Sequence, residues 1–266
     1  MKKFLFALLM MVGISAGAQQ NVITIKVKGV SFKMVKVQGG TFTMGATPER
    51  DSDVYYHEKP AHRVTLSSYY IGETEVTQTL WMAVMGSNPS ELPSVGTSVA
   101  LEMSSLYRAV DIYPVVNVSW NDCQTFIEKL NQLTGRKFRL PTEAEWEFAA
   151  RGGNKSKGYK YSGSNTIGDV AWYGGNSGET THPVKDKAPN ELGIYDMSGN
   201  VQEWCQDWKG DYSSSAQTNP KGPGSGSYRV LRGGCWYSSD LECRTAIRPS
   251  YAPTAAGNYL GFRLAL

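Results

Sequence analysis

Three groups of side chains in this sequence have the types and spacings that could do chemistry. The first is His57-Glu58-Lys59-Pro60-Ala61-His62, which points toward a zinc hydrolase. Such a site needs two histidines four residues apart on one helix face. Here they stand five apart, and Pro60 breaks any helix that would align them. The chain has three histidines, too few for a histidine-rich metal centre, so the segment reads as a loop entering a strand. The second group is Asp196, Asn200, Glu203 and Asp207 around Gly199. Two carboxylates within eight residues, with a carbonyl exposed at the glycine turn between them, suit a hard cation such as Ca²⁺. The alternative is that these acids cap turns. The third group is the four cysteines, Cys123, Cys205, Cys235 and Cys243; none has CxxC spacing, which excludes a zinc ribbon and a thioredoxin-type motif. Cys123 falls on the apolar face of a helical pattern and reads as a buried thiol. For Cys205 and Cys243 the expectation is a disulfide, with two free thiols as the alternative. No glycine-rich phosphate loop follows a strand, and there is no GxSxG.

Positioning any of these groups requires a core. At 266 residues, 41% of them hydrophobic, folding hides roughly three quarters of the unfolded surface. Seven tryptophans and a mean hydropathy of −0.36 exclude both a disordered chain and a multi-pass membrane protein. Residues 1–18 read as a signal peptide: Lys2-Lys3, an apolar run from Phe4 to Ile14, then Ala16-Gly17-Ala18. The run is too short to span a bilayer, and no later stretch reaches the length of a transmembrane segment. The expectation is export to the periplasm, the cell surface or the medium, where disulfides are permitted. Net charge is +3, and +1 once Lys2 and Lys3 leave with the signal, too near neutral for a nucleic-acid binder.

After the signal, residues 19–34 form an extension that contains a strand at Val22–Lys28, and residues 35–266 form one domain. Alternating apolar residues predict further strands within Val35–Met44 and Arg63–Tyr70. Helices are predicted over Thr74–Met85, capped by Thr74, and over Ser119–Leu133, with Ser119 as N-cap and Gly135 closing the far end. A third starts at Thr142, with Glu143, Glu145 and Glu147 near its positive end and Trp146, Phe148 and Ala149 packing inward. Beyond Asn154, glycine, asparagine, serine and aromatics predict long irregular loops.

Several segments together resemble the formylglycine-generating enzyme family, the sulfatase-modifying factor domain. They are Gly40–Gly45 (GTFTMG), Glu73–Thr77 (ETEVT), Pro114–Trp120 (PVVNVSW), Arg139–Gly152 (RLPTEAEWEFAARG), Gly193–Trp204, Arg232–Trp236 (RGGCW) and Gly261–Arg263 (GFR), in family order. The resemblance implies an α+β fold: a single compact variant of the C-type-lectin-like fold, with much irregular backbone and structural Ca²⁺. It places calcium ligands at Asp196, Gly199, Val201 and Glu203. The active enzymes look like copper-dependent oxidases that convert a substrate cysteine to formylglycine with O₂. They use two cysteines, five apart, just after the GGS stretch. Here only Cys243 follows Trp236, and Cys235 replaces the serine eight positions earlier, so the catalytic pair does not carry over. If the chain were such an oxidase, Cys235 and Cys243 would be its pair and a sulfatase its partner. The family also contains ligand-binding members whose C-terminal segment is diversified by retroelements, and members that look like structural subunits of envelope assemblies. The favoured expectation is a binding module for a protein or small ligand. Its C-terminal surface would carry Trp236, Tyr237, Ser238, Ser239, Asp240, Glu242, Tyr251, Asn258 and Tyr259, a tyrosine- and serine-rich set suited to adaptable contacts.

Overall fold

The computed structural model describes residues 21–47, 54–90 and 112–266. The signal peptide expected at 1–18 lies outside them. Among the described residues the strands make three small sheets. β1 (Val22–Val27) and β2 (Val30–Val37) form a hairpin, and β5 (Tyr69–Gly72) pairs with the other edge of β2. The hairpin turns on Lys28 and Gly29, both at positive φ, as a two-residue turn matched to the right-handed strand twist requires. β3 (Gly40–Met44), β4 (His62–Leu66) and β7 (Gln217–Thr218) make the second sheet. The third has β6 (Gln202–Trp208) between β10 (Leu260–Gly261) and β8 (Arg229–Arg232), with β9 (Ser250–Tyr251) outside β8. Arg63–Tyr70, predicted as a strand, thus divides between β4 and β5, which belong to different sheets.

The helices begin where side chains can satisfy their first amides. α2 (Trp120–Thr134) opens with a capping box, in which Ser119 accepts the Asp122 amide and Asp122 accepts the Ser119 amide. Gly135 closes it in the left-handed conformation. α3 (Glu143–Ala150) repeats the device with Thr142 and Glu145. α1 (Gln78–Met85) is capped by Thr77, three residues later than expected. The reason is that the preceding residues are already engaged in the fold: the Val76 amide donates to Phe262 O at 2.9 Å and Glu75 is buried. The chain stays extended until Thr77.

One core cluster joins Trp81, Phe126 and Phe262, with Trp81 stacked on Phe126 at 5.1 Å and Phe262 edge-on to Phe126 at 5.4 Å. A second centres on Trp146, Phe148 and Cys205. Leu264 and Leu266 hydrogen-bond to Gly72 and Tyr70 along the free edge of β5, so the last residues of the chain complete the N-terminal sheet. Every residue of α3 is buried, its three glutamates included. A buried charge must be paired, and those pairs define what lies beneath the candidate site.

Candidate functional site: an aromatic rim on an ion-pair frame

The arginines of the C-terminal segment face inward. Arg248 grips Glu143 with two hydrogen bonds of 2.7 Å, Arg244 grips Glu58 at 2.7 and 2.9 Å, and Arg263 grips Glu203 twice at 2.6 Å. Glu147 receives Arg151 at 2.8 Å, the Gly45 amide at 2.8 Å and Arg232. Burial opposes the charge on Glu143, yet Arg248, Arg232 and Lys209 hold its carboxyl down to about 2. Except for Arg151 with Glu147, four residues apart, these pairs join residues far apart in sequence, Glu58 to Arg244 across 186 positions. The pairs clamp the C-terminal segment onto α3, β6 and the loop before β4.

Between the clamped arginines the chain turns outward. Trp236 and Tyr237 meet edge to face at 5.0 Å and 84°. Tyr237 meets Tyr259 at 5.1 Å and 78°, and Tyr259 meets Tyr251 at 6.2 Å. Trp236 Nε1 donates to Asn258 O at 3.1 Å, tying two of these segments together. Four rings from three stretches of chain therefore make one continuous rim. Tyr237 is 46% exposed and Tyr251 37%. Ser239, Asp240, Glu242 and Asn258 are exposed around them. Burial, with Cys235, Tyr259 and Tyr251 nearby, raises the Tyr237 hydroxyl, so it stays protonated. Ser238, expected on this surface, is instead 1% exposed; its hydroxyl accepts the Cys235 amide at 3.2 Å and serves the frame.

The cysteines require a second correction. Among the described residues all four are buried free thiols, and the expected Cys205–Cys243 bridge is absent. The two belong to different packing clusters, Cys205 with Trp146 and Cys243 with Tyr161 and Val170. Cys243 instead neighbours Cys235. Gly234, at φ 74°, passes so close that a Cβ there would stand 2.8 Å from Cys243 Sγ. Burial raises the thiols of both Cys235 and Cys243, and at Cys243 the charge of Cys235 would add to the rise. The pair is spaced eight positions apart, where the resembled enzymes have five.

The turn expected to hold calcium is tightly built. Asp196 and Asn200 both adopt left-handed backbone, with φ of 58° and 60°. Gly199 between them cannot carry a Cβ, which would strike the carbonyl of Trp172. Asp196 accepts the Lys185 amide at 2.8 Å. Asn200 donates to Glu75 at 2.8 Å and accepts the His182 amide at 2.9 Å. Glu203 is fully buried, and its carboxylate accepts Trp146 Nε1 at 2.6 Å besides Arg263. The missed member is Glu75, 2% exposed. Burial, then Asp196 and Glu203, push its carboxyl well up, and burial pushes Asp196 to about 6. Glu75, Asp196 and Glu203 thus lie within reach of one another's charge and of the Arg263 guanidinium, which among the three hydrogen-bonds Glu203. Asp207 is not part of this group. Four residues along β6 from Glu203, it accepts the Glu143 amide at 2.9 Å and lines a cavity of about 310 Å³ with Tyr212 and Arg248. Burial and Glu143 push its carboxyl to about 7.

His57 and His62 do not converge on a metal. His62 meets Tyr212 with ring centroids 4.7 Å apart, His57 stacks on Tyr55, and no group of three or more metal-ligating side chains occurs among the described residues. No helix among those residues is long and apolar enough to cross a membrane.

A family model described as the sulfatase-modifying factor enzyme 1-like domain matches residues 21–266. A chaperone protein LppX of Paenibacillus barcinonensis is 36% identical, over 90% of each chain. The formylglycine-generating enzyme of Streptomyces coelicolor is 32% identical, over 87% of this chain and 88% of its own. Among solved structures, Treponema denticola variable protein 1 superposes with a TM-score of 0.80 at 36% identity, covering 93% of this chain and 99% of its own. The α+β fold of these neighbours is the C-type-lectin-like fold expected from the sequence.

Proposed function

The chain belongs to the sulfatase-modifying factor enzyme 1-like domain family, and from that premise we propose that it is an exported binding protein whose C-terminal face holds a protein or small ligand. The observation that carries this reading is the rim of Trp236, Tyr237, Tyr251 and Tyr259, set on a frame of buried ion pairs. Rigid, half-exposed aromatic area with serine and asparagine at its margin is good generic contact surface. The likeness to a Treponema denticola protein named as variable is in keeping with a surface that changes while its support does not. Arrays of glycans and peptides test the reading. Ligands that bind the wild type are expected to be lost in a Tyr237→Ser/Tyr259→Ser variant whose melting is unchanged. Ligands retained by that variant would move the binding site elsewhere.

The oxidase reading has one observation on its side, the adjacency of Cys235 and Cys243. Their spacing, eight positions where the resembled enzymes have five, argues against it. The copper-loaded protein is therefore expected to leave a cysteine-containing sulfatase peptide unchanged in mass spectra. An aldehyde product that disappears in Cys243→Ser would restore the enzyme. Calcium, if bound, would be held by Asp196 and by the carbonyls of Gly199 and Val201, beside Glu75 and Glu203. Its contribution would be structural, neutralising the buried carboxylates and fixing the turn before Trp204.

A further inference from the structure

Resting on the binding-face reading, we propose that the aromatic rim receives a cationic side chain, a lysine or arginine presented by a protein partner. Two independent observations carry this. The first is the distribution of cations over rings. Elsewhere among the described residues, Lys or Arg repeatedly caps an aromatic face: Arg229 over Trp208 at 3.4 Å, Arg248 over Tyr212 at 3.9 Å, Lys187 over Trp172 at 3.9 Å. None of the cation–ring pairs in the described structure involves Trp236, Tyr237, Tyr251 or Tyr259. Successive rings stand nearly perpendicular, at 84° and 78°, so their faces look in different directions along the rim. A cation within about 6 Å of several such centroids is attracted to each of them.

The second observation is the fixed charge around the rim. From Cys235 to Leu266 the charged residues are Asp240, Glu242, Arg244, Arg248 and Arg263. The three arginines are buried in their pairs with Glu58, Glu143 and Glu203, whereas Asp240 and Glu242 are exposed. Glu242, held by the Ser239 amide at 2.8 Å, lies close enough to oppose ionisation of Tyr251. The segment therefore shows solvent a field that is only acidic, beside rings with no internal cation. Such a surface attracts positive charge and repels acidic partners. The rim is open, with Tyr237 and Tyr251 close to half exposed. A free small cation would stay mostly hydrated there, whereas a side chain anchored by its own protein arrives with its entropy already reduced.

The test uses the mature chain and the NMR signal of the Trp236 indole N–H, assigned by its loss in Trp236→Phe. The probes are pentapeptide amides of sequence Gly-Lys-Gly-Lys-Gly, the arginine counterpart, the glutamine counterpart, and tetramethylammonium chloride. The basic peptides are expected to shift the indole and to bind about tenfold tighter than the glutamine peptide. Added salt should weaken them. Tyr259→Leu should abolish the shift, and Asp240→Asn/Glu242→Gln, both exposed, should weaken it several-fold with unchanged melting. Equal binding of the glutamine peptide overturns the inference while leaving the face a binding surface. Tetramethylammonium binding as tightly as the lysine peptide overturns the assignment to a protein partner. No shift with either basic peptide at roughly 10 mM overturns the cationic inference outright. The arrays above, read with the Tyr237→Ser/Tyr259→Ser variant, still decide separately whether the face binds anything.

Discussion

Within the same C-terminal stretch two regions treat polarity in opposite ways. The frame residues, Arg232, Arg244, Arg248 and Arg263, are buried, and each is spent on a glutamate elsewhere in the chain. The rim residues between them, Tyr237, Asp240, Glu242, Tyr251 and Asn258, are exposed and bond mainly to one another or to nearby backbone. The contrast teaches a division of labour. Charge inside fixes the path of the backbone, and side chains outside are then free to be chosen for what they contact.

The comparison breaks most visibly at the frame. Arg244→Met leaves the Glu58 carboxylate buried without its partner, and the expected loss is about 3–5 kcal/mol of stability. Denaturant titration measures it, and adding Glu58→Leu should recover much of the loss, because the pair is then replaced by apolar packing. A loss under about 1 kcal/mol for Arg244→Met would mean that the frame is not holding the segment.

The proposed calcium site is the next largest lever. At a hundredfold excess over its dissociation constant, an ion bound only by the folded state adds about 3 kcal/mol. A chelator is expected to lower Tm in the wild type and to leave Asp196→Ala unmoved. Identical wild-type curves with and without chelator would remove the ion from the frame.

Asp207 gives a smaller, pH-dependent effect. Its folded pKa of about 7 lies above the unfolded value of about 3.9, so the folded state binds the extra proton between those limits. Stability from this group is therefore greatest below about pH 4 and falls as pH rises toward 7. Asp207→Asn keeps an acceptor for the Glu143 amide and removes the buried charge. Relative to wild type it should gain roughly 2–3 kcal/mol between pH 5 and pH 8. A difference that does not change with pH would show that Asp207 does not titrate in this range.

Changes at the rim should be the least costly. Tyr251→Ser is expected to move stability by no more than about 0.5 kcal/mol in denaturant titration, as exposed substitutions do. A loss of several kcal/mol would merge the rim with the frame and end the distinction.

What the sequence disclosed follows the range of the interactions. Ser119 with Asp122 and Thr142 with Glu145 are contacts three residues apart, so both helix starts were legible. The motifs that carry the family resemblance were legible as well, because many of their residues sit in the frame. The Glu58–Arg244 and Glu75–Asn200 contacts span more than a hundred residues and leave no periodic trace. The i, i+4 spacing of Glu143 and Glu147 on a helix buried all round was the one available sign of the lattice. The cysteine bridge was misread because proximity in the fold puts Cys243 beside Cys235, and sequence spacing carries no record of that. Ser238 was misread for the same reason, since a serine facing Cys235 and one facing solvent look alike in a loop.

The docking of Leu264 and Leu266 against Gly72 and Tyr70 also sets the order of folding. The N-terminal sheet and the Trp81–Phe126 stack cannot be completed by the first half of the chain, because Phe262 and the strand-like end that they require are nearly two hundred residues downstream of β5. Loop closure over that distance must precede the reward of the contact, which makes the topology slow to fold. During synthesis, completion of the N-terminal sheet is therefore expected only after residues 262–266 have emerged. Pulse proteolysis of arrested lengths is expected to show protection only once residues beyond Phe262 have emerged; resistance at 250 residues would contradict that order.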